Sequence, residues 1–248
     1  MVTDTAANMV AAGRELSAKG IAWHGCLAHL LELVHGILYK VAAVKGVLAA
    51  ARKVVAKHTM SSQHEAKLLR FGAAAGKSKK LIQDVPTRWS STADMCDRLV
   101  EMQPVFEAMA ALEKDPTLNP LTKYEWTVLE LISMLLAPLR KAQVLLEGQK
   151  YVTISLVPSL IHHLRTSLRE KAEAAAAVAS SAQPSSYPAA DAAVDEGLES
   201  AGEAVEPEPE PLSGDAAVEA VEAVRAAAEE MLGTFNGYFG PGIPVSFW

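Results

Sequence analysis

Only two cysteines, Cys26 and Cys96, occur in 248 residues, which excludes a disulfide-stapled scaffold and makes a reduced compartment the expectation. No run approaches the ~18 consecutive apolar residues that a membrane-spanning helix needs. The N-terminus also lacks the cationic-then-apolar pattern of a secretory signal, so the sequence predicts a soluble intracellular chain with no membrane partner. Aromatic residues make up only 6% of the chain, and strand-forming runs are scarce after Trp23. No segment repeats with a solenoid period. Acidic residues are nearly missing from one region: between Lys40 and Arg88 there are 11 basic residues, and Glu65 and Asp84 are the only acids.

That local +9 lies within a lopsided charge distribution. Met1 to Glu170 carries 21 Lys+Arg against 15 Asp+Glu, whereas Lys171 to Trp248 carries 2 against 14. The formal net charge of −6 therefore averages a basic part with an acidic tail. A basic stretch of this density attracts polyanions, and the tail is expected to mask it in cis.

Spacing of apolar and capping residues predicts a mainly α chain. Asp4 or Thr5 can cap a helix running to about Ala18, Gly20 fits a C-cap, and Ile21-Ala22-Trp23-His24 reads as a short strand. Leu27, Leu30, Leu31, Val34, Leu38, Val41 and Val44 recur at spacings of three and four, a helical stripe with a break expected near Gly36 or Gly46. Further helices are expected over 61–75, from a cap at Ser90 or Ser91 to about Leu112, over 122–147 with an interruption at Pro138, and over 157–179. The Ala/Pro/Glu-rich segment 178–214, with Glu206-Pro207-Glu208-Pro209-Glu210-Pro211 at its centre, has too little apolar bulk to order and reads as a disordered acidic linker. Residues 215–248 are expected to form a short amphipathic helix and a tail.

Few residues carry chemistry by spacing alone. Asp4 suits a helix cap or a metal-binding carboxylate. Cys26 and His29 share a helix face as a feasible half of a zinc site, but no second Cys-x-x-Cys, Cys-x-x-His or His-x-x-x-His pair supplies the other half. Gly72-Ala73-Ala74-Ala75-Gly76-Lys77-Ser78 is one residue short of a Walker A spacing and has no preceding core strand. Lys77, Lys79 and Lys80 read instead as an exposed basic loop able to contact phosphate. Arg88 can pair with phosphate, and Trp89 can stack on an unpaired base or anchor a helix in the core. Polar Thr87, Arg88, Ser90 and Ser91 around the indole predict partial exposure.

Asp84-Val85-Pro86-Thr87-Arg88-Trp89-Ser90-Ser91-Thr92 resembles the D-x-x-T-R-W-N-S-T signature of hAT-type transposases and the BED-zinc-finger-associated proteins derived from them, with Ser90 in place of the more usual Asn. Thr3-Asp4-Thr5-Ala6-Ala7-Asn8-Met9-Val10, Cys26-Leu27-Ala28-His29 and the segment from Leu135 to Pro158 resemble further blocks of that family, in the same order. The resemblance implies a partial RNase-H-like α/β core with the start of the helical domain in residues 1–58, and a helical insertion domain over 59–177. It implies that Asp4 is one of three catalytic carboxylates binding Mg²⁺. Cys26 and His29 would belong to a structural block beside the active site. Arg88 and Trp89 would contact DNA, Trp89 by stacking on an extruded base. The first catalytic Asp is expected upstream of Met1 and the final Glu beyond Gly237-Tyr238-Phe239. The expected function is therefore that of a truncated or domesticated transposase, nuclear, DNA-binding, catalytically incomplete and able to form homo-oligomers. The alternative is a non-catalytic interaction scaffold in transcription or chromatin.

Overall fold

A computed structural model of the chain describes residues 2–3, 7–21, 23–85, 88–147, 153–181 and 214–238. Asp4, the Glu-Pro linker and the end of the chain after Tyr238 lie outside them. A small β-α-β unit comes first. Strand β1 (Val2–Thr3) pairs in parallel with β2 (His24–Gly25), in the register Val2 to His24 and Thr3 to Gly25, and helix α1 (Ala7–Ala18) makes the crossover. Gly20 ends α1 at φ 78°, a left-handed conformation that glycine adopts without strain. Gly13 lets α1 approach Trp23, since a Cβ there would lie 2.2 Å from the indole.

Seven α-helices follow among the described residues, and they share one continuous apolar core from Leu27 to Phe235. They are α2 (Leu27–Leu38), α3 (Ala42–Met60), α4 (Ser62–Ala74), α5 (Trp89–Glu113), α6 (Lys123–Leu146), α7 (Val157–Ser181) and α8 (Gly214–Tyr238). The helical stripe breaks at Tyr39-Lys40-Val41, and neither Gly36 nor Gly46 interrupts its helix. Leu38 and Val44 are both fully buried but six residues apart, a spacing that no single helix face satisfies, so the chain turns by 96° between them. No single helix among the described residues is long and apolar enough to cross a membrane; α2 and α3 approach that composition only as this bent pair.

Capping is local and readable. Ser61 accepts from the His64 backbone N–H, and Thr122 and Glu125 form a reciprocal capping box at the start of α6. Pro138 does not interrupt α6 as expected. A mid-helix proline costs ~3 kcal/mol or more. Burial of Leu135, Leu136 and Leu139 returns about 1.5–3 kcal/mol each, which holds the helix across it.

Helix α8 stands where an amphipathic helix is expected and is longer than the short one anticipated. It is a 25-residue core helix whose Val221, Val224, Met231 and Phe235 are completely buried. It packs on α7, α2, α6 and α3, and Asn236 accepts a hydrogen bond from Arg165 of α7 at 3.0 Å. Its Glu219, Glu229 and Glu230 face solvent. These acidic side chains thus lie on the outer face of an amphipathic helix whose inner face completes the core; the expected tail, residues 239–248, lies outside the described residues. Phe235→Ala is expected to cost ~3–5 kcal/mol, read as a lowered urea midpoint. A change below about 0.5 kcal/mol, the size expected of a surface position, would contradict the assignment of α8 to the core.

Candidate nucleic-acid interface and the clamp behind it

The segment 84–92 is built around a buried carboxylate. Asp84 is 5% exposed, a position that an unpaired charge does not tolerate. Arg52 of α3 holds it with both Nε and Nη2: Nε donates to Oδ2 at 2.9 Å and to Oδ1 at 3.1 Å, and Nη2 donates to Oδ2 at 2.7 Å. Thr92 on the first turns of α5 donates its hydroxyl to Oδ2 at 3.0 Å, and Gln83 adds a longer contact at 3.3 Å. Burial alone would push the Asp84 carboxyl up. The hydrogen bonds from Arg52 and Thr92 and the guanidinium charge outweigh it and leave the group below its ordinary value. The same pairing raises the affinity of Arg52 for its proton.

Ser91 locks the approach to α5 rather than capping it. Its hydroxyl accepts from the Val85 N–H at 2.8 Å and reaches the Arg88 and Val85 carbonyls at 2.7 and 3.0 Å. The helix begins at Trp89 with Arg88 as its N-cap residue.

These bonds set the two candidate DNA-binding side chains apart. Arg88 is exposed and has no side-chain partner among the described residues. Trp89, expected to be partly exposed, is 7% exposed and stacks on His35 of α2 at 4.8 Å between ring centroids. The polar neighbours did not force the indole outward because, at the start of a helix, successive residues point about 100° apart. Thr92 turns inward to Asp84 and Arg88 outward, while Trp89 takes the core face. Burial lowers the His35 pKa, against smaller upward effects from the Leu31 carbonyl and Glu32, so the stacked imidazole is held neutral. Tyr39 meets His35 edge-on at 5.4 Å. Burial pushes its phenol up to about 12, against a smaller downward pull from Thr92. Thr92 lies close enough to exert that pull, yet its proton goes to Asp84 and the Tyr39 hydroxyl gains no bond of normal geometry. Cys96 lies in the same buried group, where burial raises its thiol far above the reactive range.

Lys77, Lys79 and Lys80 are held by acids and a carbonyl rather than standing free. The Lys77 Nζ donates to the Glu101 carbonyl at 3.3 Å, Lys79 pairs with the Glu101 carboxylate at 2.5 Å, and Lys80 pairs with Glu65 at 3.0 Å. Exposed pairs of this kind contribute ~0–1 kcal/mol, so a phosphate could displace them at small cost. The glycine-rich turn before them is a Schellman cap of α4. The Lys77 N–H donates to the Gly72 carbonyl at 2.7 Å, the Gly76 N–H donates to Ala73 at 3.2 Å, and Gly76 has φ 68°. A Cβ at Gly72 would lie 2.6 Å from the Lys77 oxygen, which accounts for the glycine without any nucleotide.

Cys26 is the N-cap residue of α2 and is partly exposed as a free thiol; His29 faces Glu32 at 3.6 Å. Among the described residues no three His, Cys, Asp or Glu side chains gather into a metal-binding group. Neither a closed zinc site at Cys26 and His29 nor the carboxylate set that would hold Mg²⁺ is assembled there.

Residues 24–135 match the family model of the ZBED1 RNase-like helical domain. That match, a little under half of the chain, supports a relation to hAT/ZBED-type proteins. No curated protein and no solved structure matches the chain. The ZBED1-like segment runs from β2 into the middle of α6 and contains every residue of the clamp. Sequence reasoning passed over Arg52, Thr92 and His35. The available signal was Asp84 itself, one of only two acids in a basic stretch, which a buried cation must balance if it lies in the core.

Trp89→Ala is expected to cost ~3–5 kcal/mol of stability, with a strong fall in melting temperature, and no selective loss of affinity for DNA carrying an unpaired base. A binding defect of ~1–3 kcal/mol confined to such DNA, with the melting temperature unchanged, would restore the stacking role.

Proposed function

We propose that this chain is a DNA-associated protein of hAT-transposase descent that binds the duplex backbone and does not cleave DNA by itself. The observation that carries the reading is the ZBED1-like match over residues 24–135, inside which the D-x-x-T-R-W block is intact and folded around Asp84. The parallel β1-α1-β2 unit supports its placement beside a remnant of an RNase-H-like core. By resemblance Asp4 is a carboxylate of the family's Mg²⁺ site, and the residues that would complete that site are not identified in this chain. A nuclear location and homo-oligomer formation follow from the same descent. Burial of Trp89 moves the weight of DNA binding from base stacking to electrostatics, with Arg88 an exposed cation of the block.

A second reading, a non-catalytic interaction scaffold, is favoured by the apolar side chains that α5 and α6 leave in solvent, Leu112 at 73% and Val144 at 53% exposure. Scattered single residues of this kind are common on protein surfaces, and they carry less than the matched block.

Fluorescence anisotropy of the full chain with a labelled duplex should show weak, sequence-independent binding. Neutralising about four phosphates would make it fall about a hundredfold between 50 and 200 mM salt. With Mg²⁺ added the duplex should remain uncut. Affinity that does not change with salt, or cleavage that Asp4→Ala abolishes, would overturn the proposal.

A further inference from the structure

We infer that Ser78 is a phosphorylation site, modified by a protein kinase that selects serine set among basic residues. The inference is independent of DNA association. Lys77 precedes Ser78, and Lys79 and Lys80 follow it; no other serine or threonine of the chain has three Lys or Arg within two positions. A kinase whose peptide groove is lined with carboxylates reads such a pattern by charge.

The fold makes this hydroxyl available. Ser78 is exposed and lies in residues 77–85, which are neither helix nor strand and run between α4 and α5. The Lys79 N–H donates to the Lys77 carbonyl at 2.9 Å, so Ser78 is the central residue of a three-residue turn. Its hydroxyl is held weakly, by donation to the Leu69 carbonyl at 3.4 Å, beyond the usual O–H···O range. The backbone on either side is anchored, by the Lys77 N–H on the Gly72 carbonyl and by Arg98 on the Lys80 carbonyl, so the loop is presented from a fixed base. Other hydroxyls near cations lack these features. Ser91 follows Arg88 by three positions, but its hydroxyl is locked between Val85 and the Arg88 carbonyl. Ser167, between Arg165 and Arg169, lies inside α7 and could not extend into a kinase cleft without unwinding that helix.

The step is phosphoryl transfer from ATP. The Ser78 Oγ bonds to the γ-phosphorus as the bond from that phosphorus to the β–γ bridging oxygen breaks. ADP leaves, and the hydroxyl proton passes to the catalytic-loop aspartate of the kinase. The phosphoserine carries a charge of about −1.5 to −2 at pH 7, which offsets half or more of the positive charge of Lys77, Lys79 and Lys80. The dianion cannot donate to the Leu69 carbonyl, which lies in the last turns of α4, so the phosphate turns from that negative helix end toward the lysines.

The full chain is incubated with Mg²⁺-ATP and the isolated catalytic domain of protein kinase C, and the phosphate is located by mass spectrometry of peptides cut at glutamate. A single phosphate at Ser78 is expected. S78A should keep the parent melting temperature and lose that label, whereas S78T, which retains a hydroxyl, should accept it. K77Q/K79Q/K80Q should lower kcat/KM by about tenfold or more, and K77R/K79R/K80R should stay within about threefold of the parent. Equal incorporation by S78A, labelling of Ser78 only after heat denaturation, or a kcat/KM unchanged by the Gln substitutions would overturn the assignment.

Discussion

A carboxylate cannot stay ionised inside a protein without compensation, and the need to compensate Asp84 organises this molecule. Leaving one partner of such a buried pair alone costs ~3–5 kcal/mol, a large share of the total stability of a domain. The compensation comes from three places: Arg52 in the middle of α3, Thr92 on the first turns of α5, and Gln83 beside it in the loop. The bonds from Arg52 and Thr92 tie the loop to α3 and to α5. With α5 fixed at its start, Trp89 falls against His35 of α2, and the core runs on through α6 and α7 to α8. The block that resembles a transposase signature therefore acts in this chain as a corner brace.

The same pairing decides how the protein presents charge. A sequence count places nine net positive charges between Lys40 and Arg88, but a fold is not a line. Glu101 and Glu113 of α5, distant in sequence, reach back to Lys79, Lys67 and Arg70, and Glu65 reaches Lys80. The positive charge left on the surface is therefore less continuous than the linear count implies. Long-range attraction then comes from the arrangement of a few exposed cations rather than from total basicity.

Much of the helical architecture was legible because it is written in local chemistry. Ser61 and Thr122 sit where caps are required, Gly20 and Gly76 where the backbone turns left-handed, and the Leu/Val stripes define the buried faces. Errors arose where tertiary packing overrides a local rule. Pro138 continues its helix because three flanking leucines hold it, and Gly36 and Gly46 continue theirs because the phase of the stripe, not glycine flexibility, sets the corner. The amphipathic period of α8 was legible in Val221, Val224 and Met231, whereas its extension to Tyr238 and its place in the shared core depend on packing against distant helices. Trp89 was misjudged for a related reason: the polarity of sequence neighbours says little about a side chain at a helix start, where each residue faces a different way. The Arg52–Asp84 pair, separated by 32 residues, had no local signature at all.

The central claim is that Asp84 and Arg52 act as a coupled brace joining α3 to α5. A double-mutant cycle on the full chain, using Arg52→Gln, Asp84→Asn and the two together, tests it most directly by urea denaturation. The account predicts that the single changes each destabilise strongly and that the double change costs less than their sum, with a coupling of roughly 1–3 kcal/mol. Additivity within about 0.5 kcal/mol would contradict it, because two residues that do not share an interaction should behave independently.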